Sequence, residues 1–356
     1  MPYENSRIWW ACEAVGIAKN GSTSPTVIHG AQSVGITTNY NIEPIFELGQ
    51  SSPYQLLEDI PNVEVTSEKM IDGYPLIYHL ATRGAASPTL IARSNQKCSI
   101  SLPIYGEVQD SASGTALIEL YCSGMFLNSV QYQIPVQGQC TESVSFVGNN
   151  KIWKTGSFYL TGTLFDGSDV PLSYTSGTGG VQRRQNVVFT PTTNSLDVNG
   201  QVDDSACTIL PPDIAGISSS GTNVLRSDGN YRCSVQNISI NTDLNRDALY
   251  ELGHKGAYFR PAGFPVQVSC DIEINAKSGD MVDCYENGTG AAATNVTNRS
   301  IRVKLQEGTF IDLGRKNKLS NVTMGGANAG NGIATITYSY TTYNDFLVTH
   351  PLDPVT

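Results

Sequence analysis

Residues 33–49 read SVGITTNYNIEPIFELG, and residues 237–253 read NISINTDLNRDALYELG. At a shift of 204, without a gap, they share six of 17 positions: Ile36/Ile240, Thr38/Thr242, Asn41/Asn245, Glu47/Glu251, Leu48/Leu252 and Gly49/Gly253. Average residue usage gives about one identity over such a length. The same shift pairs Tyr54 with Tyr258 and Pro61 with Pro265, so the sequence points to an internal duplication.

Both copies begin with apolar alternation, Val34 and Ile36 or Ile238 and Ile240, which is the period of a half-buried strand. The following residues predict a short helix. Asn41 and Asn245 suit its N-cap, Pro44 is tolerated in its first turn, and Gly49 or Gly253 suits its left-handed end. The repeated helix motif is thus Phe46, Glu47 and Gly49 in one copy and Tyr250, Glu251 and Gly253 in the other. After the shared proline, with one residue skipped, VEVTSEK (63–69) falls on VQVSCDI (266–272). Val63, Val65 and Ser67 match Val266, Val268 and Cys270 on a core face, while Glu64 and Glu68 match Gln267 and Asp271 on a polar one.

Weaker pairings extend the correspondence: 98–102 with 301–305, 115–122 with 333–340, and 131–135 with 346–351. The expected fold is mainly β, with two tandem β-sandwich or barrel domains at 1–148 and 211–356, each with a short flanking α-helix. The turn-rich residues 149–210 have no counterpart and are expected to be an irregular linker or an interaction loop. Its paired cations Arg183 and Arg184 are candidate inter-subunit contacts, the alternative being two solvated arginines on an exposed linker.

Composition narrows the function. Charged residues are 15% of the 356, against about 25% in ordinary soluble proteins, so much of the surface is not dressed for water. The formal net charge of −10 argues against gripping nucleic acid through its phosphates. The first residues lack a basic stretch followed by an apolar core, so no secretory leader is expected, and no apolar run approaches the ~20 residues of a membrane span. The eight cysteines, at 12, 98, 122, 140, 207, 233, 270 and 284, form no Cys-x-x-Cys pair and are expected to be mostly reduced core thiols.

No catalytic constellation is present in the sequence, and no metal or cofactor is expected. His29, His79, His254 and His350 are scattered, and the last two are expected in surface or turn positions. The Gly-rich stretches GTGG (177–180) and NGTGAAATN (287–295) lack the Gly-Lys-Ser/Thr ending of a phosphate loop. Asp243, Asn245, Asp247 and Glu251 imitate the start of a calcium loop, but Ala248 stands where glycine is needed and His254 where a bidentate acid is needed.

With the strand, the FELG ending and IPNVEVTSEKMIDGYPLIYHLATRG (60–84), answered by LNRDALYELGHKGAYF and FPVQVSCDIEINAKSGD (264–280), the chain resembles the major tail tube proteins of tailed bacteriophages. The resemblance implies a structural virion protein, made in the host cytoplasm and placed in the phage tail. Its strands would join those of neighbours into hexagonal rings that stack into a tube for genome delivery. It further implies contacts with other copies of itself, a tail terminator and baseplate or tip proteins. DNA or an internal tape-measure protein would pass through without specific binding. Because this chain carries two such units, three copies would close a ring, giving a homotrimer with pseudo-sixfold symmetry. Glu64, Glu68, Asp271 and Glu273 are then the candidate lumen-lining acids, since a negative bore does not hold phosphates. Arg302 and Lys304 would put positive charge there if their strand also faced inward, and the alternative for the acids is an exterior, solvated face. The competing function is another β-sandwich virion protein or a glycan-binding adhesion protein, to which the 17 tyrosines would lend stacking surfaces.

Overall fold

The computed structural model describes residues 7–106, 112, 114–161, 164–165, 180–189, 207–215, 217, 234–276, 279–280, 282, 298–326 and 332–353. The first half runs through β1 (Gly16–Lys19), β2 (Thr26–Val27), β3 (Ala31–Asn39), β4 (Ile42–Phe46), β5 (Pro53–Glu58) and β6 (Asn62–Met70). Two five-residue helices follow, α1 (Ile77–Ala81) and α2 (Leu90–Ser94), then β7 (Lys97–Ile104), β8 (Ile118–Pro135), β9 (Thr141–Gly148) and β10 (Asn150–Lys154). The second half holds β11 (Val235–Asp243), β12 (Gln267–Asn275), β13 (Arg302–Lys304), β14 (Phe310–Asp312), β15 (Lys318–Gly325), β16 (Thr335–Tyr343) and β17 (Leu347–Thr349).

Alternation decides how these strands assemble. In β6, Val63, Val65, Ser67 and Lys69 are buried between more exposed neighbours, and in β12 Val268, Cys270, Ile272 and Ile274 are buried in the same way. Each strand thus offers one apolar face, and all pairings are antiparallel. A continuous path of eight strands runs β3–β6–β9–β8–β11–β12–β16–β15. The 18-residue β8 is the hub: its second part pairs with β9 and β11, and its first part with β7 and β10, from which β1 and β2 extend. The two halves therefore do not form separate sheets, because β8 and β11 are hydrogen-bonded to each other.

Apolar residues from both halves make one core. Tyr132, Phe146, Ile240, Ile272 and Tyr338 on the inner face of the eight-strand path share it with Ile77 and Leu80 of α1 and with Val303, Ile311 and Val348 of the small β13–β14–β17 sheet. Glu142 of β9 reaches through this core to the start of α1, where its carboxylate accepts from Ile77 N (2.6 Å), Tyr78 N (3.1 Å) and the Tyr132 hydroxyl (2.9 Å). The first turn of α1 has donors without helical partners, and the buried carboxylate satisfies two of them. The six described cysteines are buried, and burial pushes the Cys98 and Cys140 thiols up to about 12.

The helix predicted over 41–49 is instead a β-hairpin, β4 paired with β5. Its turn closes from Gln50 N to Glu47 O, with Gly49 at φ +101 in the position that needs positive φ. The second copy makes the same turn from His254 N to Glu251 O with Gly253 at φ +89, and is held by a Leu249–Phe259 bridge. A two-turn helix of this kind is marginal without tertiary packing, and here the hairpin projects from the body with no core for a helical stripe to cover. Asn245 is itself left-handed at φ +42, a conformation an N-cap does not have. Among the described residues, the α-helices lie at 77–81 and 90–94, with none in the second half.

The registers also revise the alignment after the hairpins. β3 and β11 are both nine residues long and begin 204 apart; β6 and β12, again nine residues each, begin at Asn62 and Gln267, so these strands correspond at an offset one residue larger than 204, not one smaller. Residues 335–343 (β16) sit beside β12 as β9 sits beside β6, and β15 then takes the place of β8. The pairings of 115–122 with 333–340 and of 131–135 with 346–351 do not hold in this topology, because sequence similarity between short alternating strands does not fix which strand is which.

Candidate channel face and assembly edges

Every second residue on the eight-strand path points away from the core, and the registers place these residues in rows. One row crosses all eight strands: Ser33, Glu68, Ser143, Gln131, Asn241, Ser269, Thr341 and Lys318. The next holds Thr141, Gln133, Ser239, Asp271, Ser339 and Asn321, and a third holds Asn237, Glu273, Thr337 and Thr323. Glu64 lies opposite Thr37 at the far end of the path. The four acids singled out from sequence, Glu64, Glu68, Asp271 and Glu273, are thus brought onto one face of one sheet. Asn62 Nδ2 donates to Glu64 Oε1 at 3.1 Å.

Such a face hydrogen-bonds water through short neutral side chains and carries negative charge at intervals. Lys318 stands at one end, and these rows hold no cluster of Lys or Arg with which to grip a phosphate. Arg302 and Lys304 do not share it: β13 belongs to the three-stranded sheet, Arg302 Nε donates to Asp312 Oδ2 at 3.0 Å, and both cations lie 5.7 Å from the Phe310 ring centroid.

The path ends at two open edges. Among the described residues β3 pairs as a strand only with β6, and β15 only with β16. An unpaired edge is a template for another strand. The core-side residues there are incompletely covered. At the internal β8–β11 joint Tyr132, Ile240 and Leu244 are 0% exposed, whereas Met324 on β15 is 51% exposed and Tyr40 beyond β3 is 69% exposed. Beside the start of β3 a cleft of about 670 Å³ opens between Gly30–Val34 and the apolar groups of Val15, Ile28 and Phe165.

Two arms project from the body. Leu48 and Leu252, each next to the turn glycine, are fully exposed, and Ile42, Phe46, Tyr54, Leu56, Tyr250 and Tyr258 are more than half exposed. Apolar groups this concentrated on hairpins mark a contact surface.

No protein-family model matches the chain, and no curated protein matches its sequence. Solved structures do. The sheath-tube complex of an extracellular contractile injection system in its extended state contains a chain similar over 43% of this chain and 94% of its own, at 10% identity and a TM-score of 0.32. A chain of the anti-feeding prophage baseplate is similar over 42% of this chain and 97% of its own (11% identity, TM-score 0.32). The tube-terminating cap of the same prophage gives 42% and 92%, at 10% identity and a TM-score of 0.31.

A buried polar cluster ties the halves together behind the sheet. Arg93 of α2 donates to Asp353 and, at 2.9 Å, to the Thr82 hydroxyl; His79 of α1 lies 3.5 Å from the same Asp353 carboxylate and bonds Val348 O at 3.1 Å. His350 pairs with Glu307 at 3.3 Å, so this histidine, expected at the surface, is buried; His254 is exposed on its arm turn. Burial, reinforced by Arg93 and opposed by Asp353, lowers the His79 pKa to about 4. Burial disfavours the Glu307 charge, but hydrogen bonds from His350 and Thr309 outweigh it and hold its carboxyl below the usual range.

Residues 180–189 join this region: Gln182 pairs through its backbone with Ile71 and Cys140 of the first half, while Asn186 and Val188 pair with Gln306 and Lys304 of the second. Arg183 and Arg184 in this stretch are exposed. The sequence offers no signal for the cluster, since its members are spread from residue 79 to residue 353 and meet only through the fold.

Proposed function

We propose that the chain is a structural tube protein of a phage-tail-like particle, built from two copies of one four-stranded unit. The units are β3–β6–β9–β8 and β11–β12–β16–β15. The observation that carries the proposal is their edge-to-edge union at β8–β11, which leaves one open edge of each kind, β3 and β15, on the same sheet. A head-to-tail contact between those edges closes a ring if the rotation closes. Three chains supply six units, so the ring is a homotrimer with pseudo-sixfold symmetry, and closure pairs both open edges of the eight-strand path.

The duplication is supported by irregularities as well as lengths. The β3–β6 pair is bulged between Ala31 and Ser33, and the β11–β12 pair between Val235 and Asn237; β8–β9 is bulged between Leu127 and Ser129, and β15–β16 between Leu319 and Asn321. Bulges are specific features, and two independent units would not place both pairs alike by chance.

In this assembly the face with Glu64, Glu68, Asp271 and Glu273 lines the bore, and cargo passes a wet, negative wall without being held. The apolar arms with Leu48 and Leu252 make the axial contacts between stacked rings, and the exposed Arg183 and Arg184 contact a neighbouring subunit. The sites are not catalytic. Native mass spectrometry and negative-stain microscopy of the purified protein test the proposal. Rings of three chains and stacked tubes are expected; rings of six chains would overturn the trimer, and monomers that bind glycans would overturn the tube.

A further inference from the structure

Resting on that assembly, the joint inside the chain is a template for the joint between chains. At the internal seam Ser239 faces Gln133, Asn241 faces Gln131 and Asp243 faces Ser129. β3 matches β11 in length and in the bulge at its second residue, which makes Gly35, Thr37 and Asn39 the counterparts of Ser239, Asn241 and Asp243. β15 matches β8 through the bulges after Leu319 and Leu127, which makes Asn321, Thr323 and Gly325 the counterparts of Ser129, Gln131 and Gln133.

We propose that β15 of one chain adds antiparallel to β3 of the next in one register, with Asn321 opposite Asn39, Thr323 opposite Thr37 and Gly325 opposite Gly35. The polar rows then continue across the joint. Glu273, Thr337 and Thr323 run on into Thr37 and Glu64 of the neighbour, and Asn321 runs on into Asn39 and Asn62. The core side gains what it lacks. Leu244, buried at the internal seam, donates its backbone N–H to Asn128 O across it at 2.8 Å. Its counterpart Tyr40, 69% exposed, then donates to Ser320 O of the neighbour, and Met324 is covered as Tyr132 is.

The two joints differ in strength. Arg246 clamps the internal one, donating to Leu127 O and Ser94 O and lying 4.9 Å from the Phe126 ring centroid. The counterparts of Arg246 and Phe126 are Ile42 and Lys318, which cannot make this clamp. Rings therefore part between β15 and β3, leaving the internal seam intact.

Cysteine pairs test the register in assembled particles of the full chain. Directly opposite residues fall within the Cα separation a disulfide allows, about 4.4–6.8 Å, whereas diagonal ones lie about 7–8 Å apart. Thr37→Cys with Thr323→Cys is expected to oxidise to covalent species ending at three chains, reversed by reductant, while Asn39→Cys with Thr323→Cys and each single variant are not. Efficient cross-linking of the diagonal pair would overturn the register. Tubes in which neither pair links would overturn the β15–β3 joint while leaving the tube in place, and failure of the unmodified chain to assemble would instead remove the tube itself. Hydrogen exchange on the unmodified protein gives a second measurement: amides of 33–39 and 321–325 are expected to gain protection on assembly, and unchanged exchange there would refute the joint even if the variants misfold.

Discussion

Removing the carboxylate of Glu142 by Glu142→Ala should be among the most damaging single changes in the chain. Three buried donors, Ile77 N, Tyr78 N and the Tyr132 hydroxyl, lose their acceptor together. Each buried donor left unsatisfied costs about 1–3 kcal/mol. Water entering the vacated space recovers part of this, leaving a loss of about 4 kcal/mol. Lys69, opposite Glu142 in the register, keeps Asp72 at 3.2 Å and the carbonyls of Tyr74 and Pro75, so its charge is not stranded as well. In equilibrium urea denaturation followed by circular dichroism, a slope of about 2–3 kcal/mol per molar converts the loss into a midpoint lower by about 1–2 M. Glu142→Gln should fall between the two, because it keeps one acceptor but turns an amide N–H toward one of the two backbone donors. Glu273→Ala, a similar deletion on the polar face, should shift stability by about 0.5 kcal/mol or less. A Glu142→Ala midpoint within about 0.3 M of the parent would refute the idea that this carboxylate anchors α1 to the sheet.

Acid should weaken the fold before the carboxylates as a group titrate. The unfolded chain protonates a histidine near pH 6.5, while the His79 site resists to about 4, so stability is present above about 6.5 and is lost as pH falls toward 4. One such group contributes up to about 3 kcal/mol, and His79→Gln should flatten that part of a stability-against-pH curve. Glu307 acts in the same direction at lower pH, its contribution fading as pH falls through its depressed folded-state value. Changing Glu64, Glu68, Asp271 and Glu273 together to Lys should leave the circular dichroism spectrum unchanged but make assembled tubes retain DNA in a salt-sensitive way; equal, weak retention by parent and variant at low salt would argue against a lining role. Leu48→Ser with Leu252→Ser should leave the urea midpoint unchanged and shorten the tubes, read by sedimentation; full-length tubes would show that the arms are not the axial contact.

Much of the chain's plan is local and therefore legible in its residues. Period-two alternation over 33–39, 63–69 and 266–274 fixes strands and decides which side of each is wet, so Glu64, Glu68, Asp271 and Glu273 could be placed on a polar face before any neighbour was known. The repeat of ELG fixes a recurring local shape, since glycine is favoured wherever φ is positive, but it does not say which shape. Helix end and hairpin turn both use it, and only the absence of a core against 41–58 selects the hairpin. Strand partners lie further from reach. Pairing energy comes from backbone groups that every residue carries, so nothing in QYQIP (131–135) specifies β11 as its neighbour, and short alternating segments can be matched in several orders. The polar cluster of His79, Arg93, Glu307, His350 and Asp353 is the extreme case, because burial and proximity, which set its charges, exist only once both halves share one core. Sequence determined the faces and the repeat; the tertiary structure decided the order of strands, the union of the halves and the two edges left open, because those depend on contacts between residues that the chain keeps far apart.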